Sequence, residues 1–153
     1  MKPSLLPAAV FVLWSCFSLC GRAEVILKPN DTVAICGDSI THQLQYSVFV
    51  EDYLLMCQPI PGLRVSEFGW TGERASGFSS RLKNDVLPFK PTVVSICYGM
   101  NDGNYVPITP EIAGSYRQNL GKCITMLKEG GVRTGVVASP GAVDDYFRTL
   151  DSP

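Results

Sequence analysis

Four short apolar runs punctuate the chain, and between them the hydrophobic spacing lengthens to a helical repeat. Thr32-Val33-Ala34-Ile35-Cys36 is the first strand-like run, ended by Gly37. From Gln43 to Cys57 the apolar residues Tyr46, Phe49, Val50, Tyr53 and Cys57 fall on one helical stripe, the face expected to pack inward. Pro59, Pro61 and Gly62 break it. Leu63 to Phe68 is a second strand, ended by Gly69, and a glycine- and serine-rich loop leads to a predicted helix around Arg81 to Leu87. Pro91 opens Thr92-Val93-Val94-Ser95-Ile96-Cys97, a β-branched run of the kind buried inside parallel sheets, and Gly99 closes it. Thr109-Pro110-Glu111 then reads as a helix start: a capping hydroxyl, proline in the first turn and an acid near the positive end of the dipole. Ile112, Tyr116, Leu120, Cys123, Ile124 and Leu127 form that helix's apolar face, and Gly130-Gly131 stops it. Arg133 to Ala138 is the fourth strand, followed by Ser139-Pro140-Gly141.

Strands and helices alternate four times, which predicts an α/β fold with a parallel sheet covered by helices on both faces. In such open sheets ligands bind beyond the carboxyl ends of the strands. Three polar clusters occupy those ends: Gly37-Asp38-Ser39, Gly69-Trp70-Thr71-Gly72 and Gly99-Met100-Asn101-Asp102.

The first 23 residues differ from the rest. Lys2 precedes an almost uninterrupted apolar run from Leu5 to Leu19, and Gly21-Arg22-Ala23 places small residues at the first and third positions. This is the layout of a secretory signal peptide cleaved after Ala23, predicting export to the periplasm or the medium and no stable membrane span afterwards. The run is short, and broken by Pro7, against the roughly 20 apolar residues that a spanning helix needs. Cleavage leaves residues 24–153 as one domain. The formal charge of the whole chain is −1, and the leader takes away two bases and no acid, so nothing basic enough to attract nucleic acid remains. Cys36, Cys57, Cys97 and Cys123 fit no zinc spacing and are expected as buried free thiols, with one bridge left open by an oxidising compartment. No metal or other cofactor is implied.

Ser39 sits where a strand turns into a helix. That position suits a plain N-cap, and it also suits a nucleophile whose developing charge is stabilised by free N–H groups. Acyl transfer further needs donors aimed at the oxyanion. Gly72, without a side chain, can bring a backbone N–H close; the Asn101 amide is a second donor and the Ser39 N–H a third. This set of blocks resembles the GDSL, or SGNH, hydrolase superfamily over about Thr32 to Ala142. Gly37-Asp38-Ser39-Ile40-Thr41 matches its first block with Ser39 as nucleophile, Gly72 matches the glycine of the second, and Gly99-Met100-Asn101-Asp102 matches the third with Asn101 at the oxyanion position. The resemblance implies a flavodoxin-like three-layer α/β/α sandwich, a sheet ordered 2-1-3-4 with a further strand beyond it, and metal-free ester hydrolysis.

One block is missing. The family's Asp-x-x-His supplies the general base and its orienting acid, and here Phe147 and Arg148 stand three residues after Asp144 and Asp145. The single histidine, His42, lies three residues after Ser39 with no acid placed to hold it. The expectation is therefore a domain cut short at its C-terminus. Asp38 is assigned to the turn and, with Trp70 and Asp102, to the substrate rim. Trp70, Tyr98 and Tyr105 are candidates to stack on a sugar or acyl group, and Ser139 is assigned to the rim. The predicted function is a secreted serine hydrolase cleaving acyl or acetyl esters of small molecules or carbohydrates, with Ser39, Gly72 and Asn101 as its catalytic groups. The alternative is an inactive carbohydrate-binding module on the same fold. A nucleotide binder ranks below both, because no glycine-rich phosphate loop is present.

Overall fold

The computed structural model describes residues 26–57 and 60–141. The leader, Pro59 and the late residues Asp144, Asp145, Phe147 and Arg148 lie outside the described residues. Four strands, β1 (Thr32–Gly37), β2 (Arg64–Gly69), β3 (Val93–Cys97) and β4 (Thr134–Val137), form one sheet in the order β2-β1-β3-β4. All pairings are parallel, as the alternating pattern predicts. The helices are α1 (Ser39–His42), α2 (Gln45–Asp52), α3 (Ala75–Asp85) and α4 (Pro110–Glu129). A π-helical turn, Tyr53–Cys57, continues α2, and a 3-10 turn, Leu87–Phe89, follows α3.

On one side of the sheet Ala34, Cys36, Val94, Ile96 and Tyr98 meet Phe78, Leu82 and Val86 around α3 and Cys123 and Leu127 of α4. Each large apolar side chain fully buried there is worth roughly 1.5–3 kcal/mol. On the other side Val33, Ile35 and Val93 pack against Leu27, Tyr46, Leu54, Leu63 and Val65. At the amino edge Asp31 ties three strands together. Its carboxylate accepts from Lys28 N (2.6 Å), the Thr92 hydroxyl (2.7 Å) and Arg133 Nη2 (2.7 Å).

Two helices depart from the sequence pattern. The stretch expected to be helical from Gln43 to Cys57 is divided at Leu44, whose φ is +59° and which supplies α2 with no side-chain cap. Of its predicted stripe Tyr46 alone packs toward the sheet, while Phe49 is 75% exposed and Tyr53 55%. The residues that turn toward the sheet are Tyr46, Ser47 and Leu54. Ser47 is buried because its hydroxyl donates to Glu67 Oε2 (2.8 Å). Helix α3 begins at Ala75, six residues before the predicted Arg81. Serines suggest a loop there, but the hydroxyls of Ser79 and Ser80 donate back to the Ser76 carbonyl (2.8 and 3.0 Å), so their polarity is met inside the helix.

Candidate active site

The parallel register brings three loops to one edge. Gly37 pairs with Gly69 on one side and with Cys97 on the other, so β1, β2 and β3 end level with one another. Asp38 leaves β1 and caps α1, its Oδ1 accepting from Ile40 N at 3.1 Å. Ser39 is then the first helical residue, half-buried, and its hydroxyl makes no hydrogen bond to another described residue. Helix α1 can sit this low because Gly69 has no side chain; a Cβ there would run into the backbone of Thr41 and His42.

The loop after β2 is a tight turn. Trp70 N donates to the Gly37 carbonyl (3.0 Å) and Glu73 N to the Trp70 carbonyl (3.1 Å). Gly72 stands at the third position of that turn with φ +72°, a conformation glycine adopts without strain, and a Cβ built there meets nothing within 4 Å. Trp70 is 58% exposed. One face of its ring is covered by the Arg81 guanidinium, 5.6 Å from the centroid.

Glu73 and Arg81 were not among the residues singled out from sequence, yet they anchor this loop. Arg81 donates through Nε to Glu73 Oε1 and through Nη2 to Oε2, both at 2.7 Å, and Nη2 also reaches the Phe68 carbonyl (2.8 Å). The Tyr98 hydroxyl donates to Glu73 Oε2 at 2.6 Å. The bidentate pair with Glu73 raises the Arg81 pKa and so holds its charge. Burial, followed by the bond to Glu73, pushes the Tyr98 hydroxyl well above the ordinary tyrosine range, so it stays a donor. Tyr98 is 1% exposed and stacked on Phe78 at 4.9 Å, which removes it from the set of ligand-stacking rings. Its place two residues after the last inward β3 position, Ile96, was the signal available in the sequence.

Asn101 closes the constellation. Its Nδ2 donates to the Glu73 carbonyl (3.0 Å) and lies 3.5 Å from Asp38 Oδ2, while its Oδ1 accepts from the Tyr105 hydroxyl (3.1 Å). The 3.5 Å contact is at the weak limit of a hydrogen bond. Asp38 is 4% exposed, with one oxygen capping α1 and the other facing Asn101. Asp102 accepts from Ala75 N through both oxygens (3.1 and 3.2 Å) and thereby caps α3. Burial raises the Asp102 carboxyl pKa against the opposing pull of that N–H.

His42 is exposed and its side chain makes no hydrogen bond to Ser39 or to any other described residue. Ser139 is also exposed, its hydroxyl turned to the Pro140 carbonyl (3.4 Å). A mostly apolar groove of about 510 Å³ lies against α4, lined by Gly99, Asp102, Ile112, Tyr116, Ile124 and Pro140. A smaller polar pocket of about 250 Å³, lined by Arg74, Asp102, Asn104, Ser115 and Asn119 among others, adjoins it at Asp102. Neither Ser39 nor Asn101 lines either one. Among the described residues no group of three His, Cys, Asp or Glu side chains is placed to hold a metal ion, and no helix is long and apolar enough to cross a membrane.

No family model and no curated protein matches the sequence. Solved structures do match. A protein described as a GDSL-like lipase from Parabacteroides merdae superposes with a TM-score of 0.65 at 24% identity, over 78% of this chain and 66% of that one. A catalytic mutant of an acetylxylan esterase from Geobacillus stearothermophilus gives 0.65 at 24% identity, over 83% and 69%. A further acetyl xylan esterase gives 0.63 at 22% identity, over 74% and 60%. This chain thus spans about two thirds of the length of the proteins it superposes on. The likeness is one of fold: the chain shares the fold of these lipase and esterase structures.

Proposed function

We propose that this chain belongs to a secreted serine ester hydrolase, with residues 1–23 as its cleaved leader. The observation that supports the reading is the level ending of β1, β2 and β3, which brings the loops that carry Ser39, Gly72 and Asn101 to one edge of the sheet. The esterases among its structural neighbours support the same chemistry. Ser39 Oγ attacks the ester carbonyl and forms the tetrahedral intermediate. The N–H groups of Ser39 and Gly72 and the Asn101 amide hold the oxyanion. A histidine supplied from outside this sequence, in an Asp-x-x-His block, takes the serine proton and passes it to the departing alcohol. Water then releases the acid from the acyl-serine. The substrates are acyl or acetyl esters, including those on carbohydrates.

The isolation of His42 favours a second reading for the chain as it stands, a ligand-binding module on the same fold. Turnover separates the two. The chain alone should hydrolyse p-nitrophenyl acetate poorly or not at all, since triads lose most of their rate when a member is missing and retain at most a residual roughly 10³–10⁴ over water. Added imidazole should act as a surrogate base and raise the rate in the unsubstituted chain well above that of Ser39→Ala. An imidazole-dependent rate equal in both proteins would refute the nucleophile. A longer gene product carrying Asp-x-x-His that binds acetylated oligosaccharides without cleaving any ester would favour the binding module.

A further inference from the structure

We propose that Glu73 is a positioning residue that sets both non-serine oxyanion donors at once, a role that rests on the ester-hydrolase reading. The residue directly after Gly72 is held from four directions. Its carboxylate is clamped by Arg81 from α3 and by Tyr98 from the end of β3, its N–H closes the Trp70 turn, and its carbonyl accepts the Asn101 amide. Only 8% of Glu73 is exposed, so the carboxylate has no water to fall back on and its partners fix its place. The turn bond orients the Gly72–Glu73 segment. The bond from Asn101 spends one amide hydrogen on Glu73 and leaves the other, facing Asp38 at 3.5 Å, free to move to an oxyanion. Among the described residues Arg81 has no other carboxylate this close: its contact to Asp85 is 3.8 Å. A fixed donor pair of this kind acts in the transition state, where displacement by about 1 Å costs on the order of 10² in rate.

The test is a set of substitutions read in two independent ways. Glu73→Gln keeps the shape and removes the charge that Arg81 pairs with. Tyr98→Phe removes one hydroxyl from the same carboxylate and is the milder change if the first fails to fold. Backbone amide signals of β1 and β3 establish that a variant is folded. In a folded variant the NMR signals of the Gly72 amide and the Asn101 side-chain amide should shift and broaden. The Ser39-dependent, imidazole-assisted turnover should fall roughly 10- to 100-fold with KM unchanged, the signature of an interaction made only in the transition state. Arg81→Lys, which restores a cation without the bidentate fork, should recover part of that loss relative to Arg81→Ala. Unmoved Gly72 and Asn101 signals in folded Glu73→Gln or Tyr98→Phe would overturn the proposal. Moved signals combined with turnover indifferent to Ser39→Ala would leave Glu73 as the positioning residue and remove the hydrolase reading instead.

Discussion

On one face of the sheet, Phe78 and Leu82 of α3 and Cys123 and Leu127 of α4 close over Ala34, Cys36, Val94 and Ile96 until little of them meets solvent. On the other face α2 and its π-helical turn leave Val48, Phe49, Tyr53 and Met56 exposed. The two faces are held by different forces. The first is joined by apolar packing. The second combines a smaller apolar cluster, Val33, Ile35 and Val93 against Tyr46 and Leu54, with polar contacts: Ser47 to Glu67, and the Thr41 hydroxyl to the Tyr46 hydroxyl at 2.7 Å. Glu67 Oε1 is buried and has no hydrogen-bond partner among the described residues, a cost the packed face does not carry. Helix ends differ in the same way. Asp102 caps α3 and Thr109 caps α4, whereas α2 has no side-chain cap. An apolar stripe therefore identifies a helix, but which of its sides is buried depends on what the sheet offers opposite.

The sharpest test of this contrast swaps one phenylalanine on each face for alanine. Phe78 is fully buried and stacked on Tyr98, so Phe78→Ala should lose about 3–5 kcal/mol of unfolding free energy. Phe49→Ala should stay within about 0.5 kcal/mol of the unsubstituted chain. Urea denaturation of both measures the difference, and equal losses would mean that α2 buries its stripe in solution.

The amino edge joins β1, β3 and β4 beneath both faces, and its chemistry is pH-dependent. Burial alone would raise the Asp31 carboxyl, but the hydrogen bonds from Thr92, Lys28 N and Arg133 outweigh it and bring the pKa below the ordinary carboxylate range. A depressed folded pKa means the stabilisation is fully present above the unfolded value of about 4 and is lost as pH falls through the folded value. Asp31→Asn should thus cost about 1–3 kcal/mol at neutral pH. The gap to the parent should close as solutions are acidified below about pH 4. A gap that stays constant down to the acid transition would show that the charge is not what matters.

How much of this was legible in the residues follows the same division. The four strands and the start of α4 announced themselves because β-branched runs and the Thr109-Pro110-Glu111 cap act locally. The three clusters at the strand ends were legible because a parallel sheet turns chain order into spatial order. The orientation of α2 was not, since it hinges on the φ of Leu44 and on a buried Ser47–Glu67 bond between residues twenty apart. Nor was the Glu73–Arg81 pair. Two charges eight residues apart, one in a loop and one in a helix, look like surface until the turn at Gly72 folds them together.

Capping offers a finer test of the packed face. Asp102→Ala removes the acceptor for Ala75 N and should cost about 0.5–2 kcal/mol, with fraying confined to the first turn of α3. Asp102→Asn retains an oxygen at the same place and should cost less. Hydrogen exchange at the Ala75 amide reads the difference directly. If Asn proves as costly as Ala, the negative charge rather than the hydrogen bond is what Asp102 contributes, and its position at the rim of both pockets becomes the better account of it.

The smallest effect expected is on stability itself, because the last probe leaves the fold untouched and asks only what reagents can reach. The four cysteines of the described residues are all free, and they divide between the faces. Cys36 and Cys123 lie in the packed core, where burial pushes their thiols up to about 12 and about 11 respectively. Cys57 ends the π-helical turn after α2 and is exposed. Cys97, at the end of β3, is half-buried, and burial raises its thiol as well, with the Asp38 charge adding to the effect. Alkylation proceeds through the thiolate, so access puts Cys57 first, and the raised thiols of Cys97, Cys123 and Cys36 slow their reaction further. Iodoacetamide at mildly alkaline pH should modify Cys57 first, Cys97 slowly, and Cys36 and Cys123 only after denaturant is added, as peptide mass mapping would record. Modification of Cys36 at a rate near that of Cys57 in native protein would mean that the packed face opens as readily as the exposed one, and the contrast between the two faces would not survive it.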